Sequence, residues 1–387
     1  MRRIPQPAVR RRHRRPPPDA ARATASHPSL KFSLPNRFSN FLHDRVAPCK
    51  RTLLSWQSAR HLRGGVPQAW IPLRPRPSTA ANSPSVMVLR KRGGTLRDIA
   101  GDLGWLQSRS GFSTGWRRCG VFVDLLSRPQ VPDGDWAADL GDAVTEDGPV
   151  LGFCSNRAAS LLVPDRGFYA SRGYARARRQ AAAAPTFADR DDLVVWRGRA
   201  TGHGVVANAT MAATDTDLLQ RVRMCLLLGG ETGRALGVDA RIVAGRHQAE
   251  DATEACRRAG IIRDPLPEAS WTGRRFVIDI DGYSNAFSNL FIRLLYGCCV
   301  IKIASPSGFR QWYYDRLEPW RHYLPVAADM SDLVERIDWC RRHPEACRDI
   351  AAAGQAFATS LTPEQEYRRT AEMIGRSVAR HPTASVA

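Results

Sequence analysis

Lysine is nearly missing from this chain of 387 residues: Lys31, Lys50, Lys91 and Lys302 are the only four among 57 basic side chains. Arginine in place of lysine, alongside abundant alanine, is what a GC-rich genome encodes, so the arginine excess is weak evidence for a phosphate-binding surface. Lys302, the one lysine after Lys91, stands out against that background, although a surface ammonium would account for it equally well. The nine cysteines form no Cys-x-x-Cys pair and have no histidine at zinc-ligand spacing, which argues against a disulfide framework and a structural metal. No apolar run approaches the roughly 20 residues of a membrane-spanning helix, and the basic amino terminus lacks the apolar stretch of a secretory signal. These absences predict a protein made and kept in the cytoplasm.

Acidic residues are scarce at one end only. Residues 1–90 hold 18 arginines and lysines against Asp19 and Asp44, so sixteen of the twenty net positive charges lie there. The same end holds 13 of the 26 prolines within residues 1–84 and strings such as RRRHRRPPP. Such a segment cannot bury enough apolar surface to offset its ordering entropy. It is therefore expected to be a disordered arm, either dispensable or able to attract anionic lipid at about 1 kcal/mol per basic residue near the surface. Nucleic acid is disfavoured as a partner, because the remainder is nearly neutral and shows no interleaved basic and aromatic patch.

From about residue 85 short apolar runs alternate with turn residues. VMVL (86–89) and VFVDLL (121–126) are expected as buried strands or adjoining helix starts, and WAADLGDA (136–143) as a strand ending in an acidic loop. DLVVWRG (192–198) is a strand running into a glycine turn, and FVIDIDG (276–282) repeats the design. The second is followed by SNLFIRLL, spaced as a helix, and by the strand CCVIKI (298–303). Strand, turn, helix and strand make a βαβ unit, which requires a parallel sheet covered on both faces. Three helices close the chain, the first stopping before Pro344 and the last opening at Pro363.

In such sheets ligands sit beyond the carboxyl ends of the strands, where glycine turns let backbone N–H groups approach phosphate. Two segments meet that description, WRGRATGHG (196–204) and DGYSNAFS (281–288). In the first, Arg197 offers a fork of donors for a diphosphate, while Gly198, Thr201 and Gly202 form a tight hydroxyl-bearing loop; an ordinary turn with a surface arginine is the alternative. The second places small polar residues where a helix begins, suited to capping or to ribose and phosphate contacts. Asp279 and Asp281 form an Asp-x-Asp pair on one strand face. That pair could hold a divalent cation, but an aspartate before glycine more often shapes a turn. The string Trp312, Tyr313, Tyr314, Trp320 and Tyr323 is expected as packing between two halves rather than a sugar platform. His322 is expected as a hydrogen-bonded structural histidine.

The stretch FVIDIDGYSNAFSNLFIRLLYGCCVIKIASPSGFRQWYYDRLEPWRHYLPVAADMSDLVERIDW resembles the signature of family-90 glycosyltransferases. WRGRATG with the following RVRMC is similar to the family's donor-side motifs, and PDGDWAADLGD, VLGFC and LLVPD are similar to its N-terminal half. The resemblance runs from about residue 85 to 380. It implies an α/β, GT-B-like fold of two Rossmann-like halves facing a cleft. The halves would span residues 85–185 on the acceptor side and 186–345 on the nucleotide-sugar side, with closing helices over 346–387. It also implies inverting transfer from a UDP-sugar, glucose or xylose in type, without an essential metal or other cofactor.

The family's base is an aspartate at the end of an N-terminal-half strand, matched here by Asp142, with Asp139 its nearest rival. Donor contacts implied are Arg197, Gly198, Thr201 and Gly202 in the first loop and Gly282, Tyr283, Ser284 and Ser288 in the second. Some members carry arginine after the phenylalanine of the second loop, whereas this chain has Ser288 after Phe287. Leaving-group stabilisation is therefore expected from Arg197, Arg223 or Lys302. The acceptor implied is a glycan or lipid-linked glycan, such as a lipopolysaccharide core reached at the inner membrane face. An inactive sugar- or partner-binding relative is the competing expectation, kept open by Ser288.

Overall fold

The structure is a computed structural model that describes residues 74–77, 83–102, 105, 109–144, 146–245 and 248–380. All of them belong to one unit, Ser55–Ala387. Most of the basic arm expected from composition lies outside the described residues. Within that segment strand β1 (Arg74–Pro77) is described, and it pairs in parallel with Asp98–Gly101. Two prolines are tolerable there because β1 is an edge strand, where a missing N–H can face away from the sheet.

The front lobe is a six-stranded sheet in the order β1-β3-β2-β4-β5-β7, with β2 (Val86–Arg92), β3 (Thr95–Gly101), β4 (Gly134–Asp139), β5 (Leu151–Gly152) and β7 (Leu161–Leu162). It departs from an all-parallel half. Strand β2 runs antiparallel to both β3 and β4. The cause is local: Gly93 and Gly94 both have positive φ, 58° and 72°, and a two-residue glycine turn of that kind closes a hairpin. The run VFVDLL is the end of the helix Arg109–Leu126, whose Phe122, Leu125 and Leu126 are buried against Met87, Leu89 and Ile99.

The rear lobe is a parallel sheet in the order β13-β11-β10-β8-β9, made of β8 (Asp191–Gly198), β9 (Val238–Ile242), β10 (Arg274–Asp279), β11 (Cys299–Ile303) and β13 (Leu324–Val326). Every residue of β11 is buried, as a strand covered on both faces requires. From β8 the chain first moves outward to β9 and then crosses back to β10 on the other side. The topological switch point therefore falls between β8 and β10, and the crevice at their carboxyl ends is where a doubly wound sheet binds its ligand.

Two features join the lobes. Strand β6 (Cys154–Ser155) pairs antiparallel with β12 (Arg310–Gln311), one strand from each side. The helix Pro363–Arg380 crosses back, placing Ala371 and Ile374 in the front-lobe core, while Arg316 grips Glu366 through two bonds of 2.9 and 2.8 Å. Trp312 and Tyr313 pack with Phe168, Tyr174 and Phe291 in the apolar cluster between the halves. His322 is buried, its Nδ1 accepting from the Glu318 N–H at 3.0 Å and its ring lying 4.9 Å from that of Phe357.

Candidate active site

The two glycine loops leave the ends of β8 and β10 and lie against each other. A side chain at Gly202, whose φ is +142°, would stand 3.4 Å from the Gly282 carbonyl oxygen, and one at Gly282 would stand 2.9 Å from Thr201 Oγ1. His203 Nε2 is 3.1 Å from the Tyr283 carbonyl, and Tyr283 itself is exposed. Arg221, in the helix Gln220–Leu227, clamps the loops together. It donates to the carbonyls of Asp281 (2.8 Å), Ile280 (3.0 Å) and Arg199 (3.1 Å) and to Thr201 Oγ1 (2.8 Å), and its guanidinium lies over Trp196.

Beneath the loops sits a buried set of charges. Asp279 is fully buried, accepting from Asn289 Nδ2 at 2.9 Å and from Lys302 Nζ at 3.1 Å. Asp281 is 5% exposed, and no hydrogen bond of ordinary geometry reaches either of its oxygens. Burial pushes its carboxyl up to about 6, against the pull of Lys302 and Ser305. Burial also lowers the Lys302 ammonium, but Asp279 and Asp281 outweigh it and hold the group above its ordinary value. Lys302 thus sits as a buried ammonium on Asp279, one member of the Asp-x-Asp pair. The other described lysine, Lys91, is buried too, donating to the carbonyls of Arg128 and Val131.

The front lobe meets this crevice with the loop that follows β4. Ser284 Oγ donates to the Asp142 carbonyl at 3.2 Å, so the candidate base abuts the second glycine loop. Its carboxylate is about half exposed and accepts from Arg118 Nη2 at 2.5 Å, while Arg118 Nη1 donates to the Leu140 carbonyl at 2.8 Å. Asp139 is buried instead and accepts from Ser85 Oγ and the Gly141 N–H, both at 2.7 Å, so it shapes the turn.

Gln311 locks the arrangement. Its Nε2 donates to Asn285 Oδ1 and to the Phe287 carbonyl, both at 2.9 Å, and its own strand pairs with Cys154. These bonds hold Phe287 at φ +47° and ψ −118°, a conformation costing a non-glycine residue on the order of 1–3 kcal/mol. The strained residue opens the helix Ser288–Leu295 and packs against the front-lobe core.

Of the residues singled out from sequence, the structure brings together Thr201, Gly202, Gly282, Tyr283, Ser284 and Asp142, with Lys302 beneath them and Ser288 at the start of the following helix. Gly198 ends β8. It does not bring Arg197 to the crevice. Side chains alternate along a strand. Trp196 faces Arg221, and Arg197 turns the other way, onto Asp239 Oδ2 (2.6 Å) and the Asp239 carbonyl (2.7 Å). Arg223 is also turned away. Two helix positions on from Arg221 it points to the opposite side, where Nε donates to the Ala213 carbonyl at 3.0 Å. Arg199 was missed from sequence; it is exposed in the first loop and has no ion pair among the described residues. Arg118, Arg221 and Gln311 were missed as well. Each acts on residues distant in sequence, although Arg221 opens the RVRMC string and Gln311 lies within the long stretch that resembles the family signature.

A family model described as Glycosyl transferase family 90 matches residues 120–374. Among curated relatives, Uncharacterized protein 035R of Invertebrate iridescent virus 3 is 37% identical over 28% of this chain and 10% of its own length. Protein O-glucosyltransferase 2 of Danio rerio is 38% identical over 22% of this chain and 16% of its own. The matched stretch spans only 8% to 17% of the first curated relatives. Among solved structures, Anabaena HepE in complex with UDP-glucose superposes over 54% of this chain and 52% of its own, at 12% identity and a TM-score of 0.31. WaaG, a glycosyltransferase involved in lipopolysaccharide biosynthesis, covers 55% of each chain at 12% identity and a TM-score of 0.32. Both superpositions are weak, and the two-lobed α/β architecture is read from the strand order itself. With the family model covering about two thirds of its length, the chain belongs to glycosyl transferase family 90.

Proposed function

We propose that the protein transfers a sugar from a UDP-sugar to an acceptor hydroxyl with inversion at the anomeric carbon. The observation that carries this reading is the 3.2 Å bond from Ser284 Oγ to the Asp142 carbonyl, which sets a front-lobe carboxylate beside the glycine loops at the rear-lobe switch point. The loops supply small residues and backbone N–H groups on which a diphosphate can rest. Asp142 takes the proton of the acceptor hydroxyl as that oxygen attacks the anomeric carbon. The bond to the diphosphate oxygen breaks on the opposite face, and UDP leaves with the electron pair.

In this reading no metal takes part, and the buried Asp279, Asp281 and Lys302 support the loop rather than bind the donor. The acceptor is a glycan or lipid-linked glycan met at the inner membrane face, with the basic residues before β1 drawn to anionic headgroups. No described helix is long and apolar enough to cross a membrane.

The test is turnover of UDP-glucose and UDP-xylose by the full chain and by Asp142→Asn. General base catalysis contributes about a hundredfold or more, so the variant should lose at least that much turnover while still binding UDP. Retained turnover would remove Asp142 from the chemistry, and an unaltered donor with no UDP binding in the parent protein would favour an inactive relative.

A further inference from the structure

A departing diphosphate needs positive charge close by, and most rear-lobe cations are engaged elsewhere. Arg197 is paired to Asp239, Arg223 holds Ala213, Lys302 is sunk against Asp279, and Arg221 is spent on the two loops. In the first loop itself Arg199 is exposed.

The front lobe is different. The helix Arg109–Leu126 carries Arg117 and Arg118 and packs against the short helix Arg166–Ala170. Neither Arg117 nor Arg166 has an ion pair among the described residues. The carboxylate nearest Arg166 in sequence, Asp165, is buried and taken by the N–H groups of Gly167 and Phe168 and by the Tyr174 hydroxyl. Burial lowers the Arg166 guanidinium, and repulsion from Arg117 and Arg118 lowers it further, with Asp165 acting the other way.

Arg118 occupies the pivotal place in this set. One of its nitrogens is fixed on Leu140 and the other rests on Asp142, and its guanidinium carbon lies 5.9 Å from the ring centre of Phe287, the residue just before Ser288. It therefore stands between the candidate base and the start of the donor-side helix.

We propose that Arg118, with Arg166 beside it, is the front lobe's ligand for the donor diphosphate, and that donor binding draws Arg118 off Asp142, freeing the base only once the leaving group is in place. The inference rests on the nucleotide-sugar reading of the site and adds to it a residue, a charge source and an order of events. The atoms need only a change of partner: Nη1 keeps the Leu140 carbonyl while Nη2 exchanges a carboxylate oxygen for a phosphate oxygen.

The experiment is calorimetric titration of UDP and UMP into the full chain, Arg118→Gln, Arg118→Lys, Arg166→Gln, Asp142→Asn and the Arg118→Gln/Asp142→Asn double variant. A charge-assisted bond to phosphate is expected to make UDP binding about tenfold or more weaker in Arg118→Gln, with UMP much less affected. Arg118→Lys should recover part of the loss, and Arg166→Gln, which breaks no internal bond, should show a smaller loss of the same kind. Asp142→Asn removes the competitor for Arg118, so UDP should bind it more tightly than the parent, and that gain should vanish in the double variant. Equal UDP affinity in the parent and Arg118→Gln would overturn the assignment while leaving the nucleotide-sugar site intact. So would an effect of Arg118→Gln confined to the acceptor KM. A parent protein that binds neither nucleotide would overturn the underlying reading, and this inference with it.

Discussion

Replacing Asp281 by asparagine should stabilise the protein, and only above a defined pH. The carboxyl is 5% exposed, receives no hydrogen bond of ordinary geometry, and is pushed by burial from 3.8 to about 6 even though Lys302, Ser305 and Arg221 stand near. In the unfolded chain it would release its proton near 3.8, so between that value and about 6 the folded state holds the extra proton. Stability then falls as pH rises through this window and levels off above it. The displacement corresponds to about 3 kcal/mol once the group is fully ionised. Asparagine keeps the shape of the neutral form without the charge. In urea titrations at about pH 7.5 the variant should exceed the parent by up to about 3 kcal/mol, and the gain should shrink toward zero by about pH 4. A variant less stable than the parent at the higher pH, or a gain that does not change between the two, would refute the placement of a carboxylate whose burial outweighs its neighbouring cations under the loop.

Arg221→Met should cost about 3–5 kcal/mol, because its charge-assisted bonds to three carbonyls and to Thr201 Oγ1 are lost together. It should also abolish UDP binding by releasing the two loops, which calorimetry would detect. Arg197→Ala should behave oppositely, losing about 1–2 kcal/mol of stability with its bonds to Asp239 while binding UDP within about twofold of the parent; a large loss of UDP affinity would return Arg197 to the donor site.

Much of the rear lobe was legible without coordinates because its signals are local. The runs at 192–198 and 276–282 end in glycine turns, the helix after the second has the spacing of one apolar face, and Pro344 and Pro363 punctuate the closing helices. The same locality explains one miss. Gly93-Gly94 is a hairpin turn in plain view, yet the antiparallel strand it creates in the front sheet was not anticipated.

By itself, then, the sequence determined the element types, the family and the two loops that face each other, because each depends on neighbours within a few residues or on an unbroken motif. Tertiary structure alone decided which charged side chains those loops meet. Arg221 rather than Arg223 faces them because of the phase of a short helix, and Arg197 is withdrawn by alternation on β8 toward Asp239. Arg118 and Gln311 arrive from segments that only the crossing of the two lobes brings near. The direction of a side chain is set locally, but what it meets depends on how distant segments pack, and no spacing along the chain encodes that.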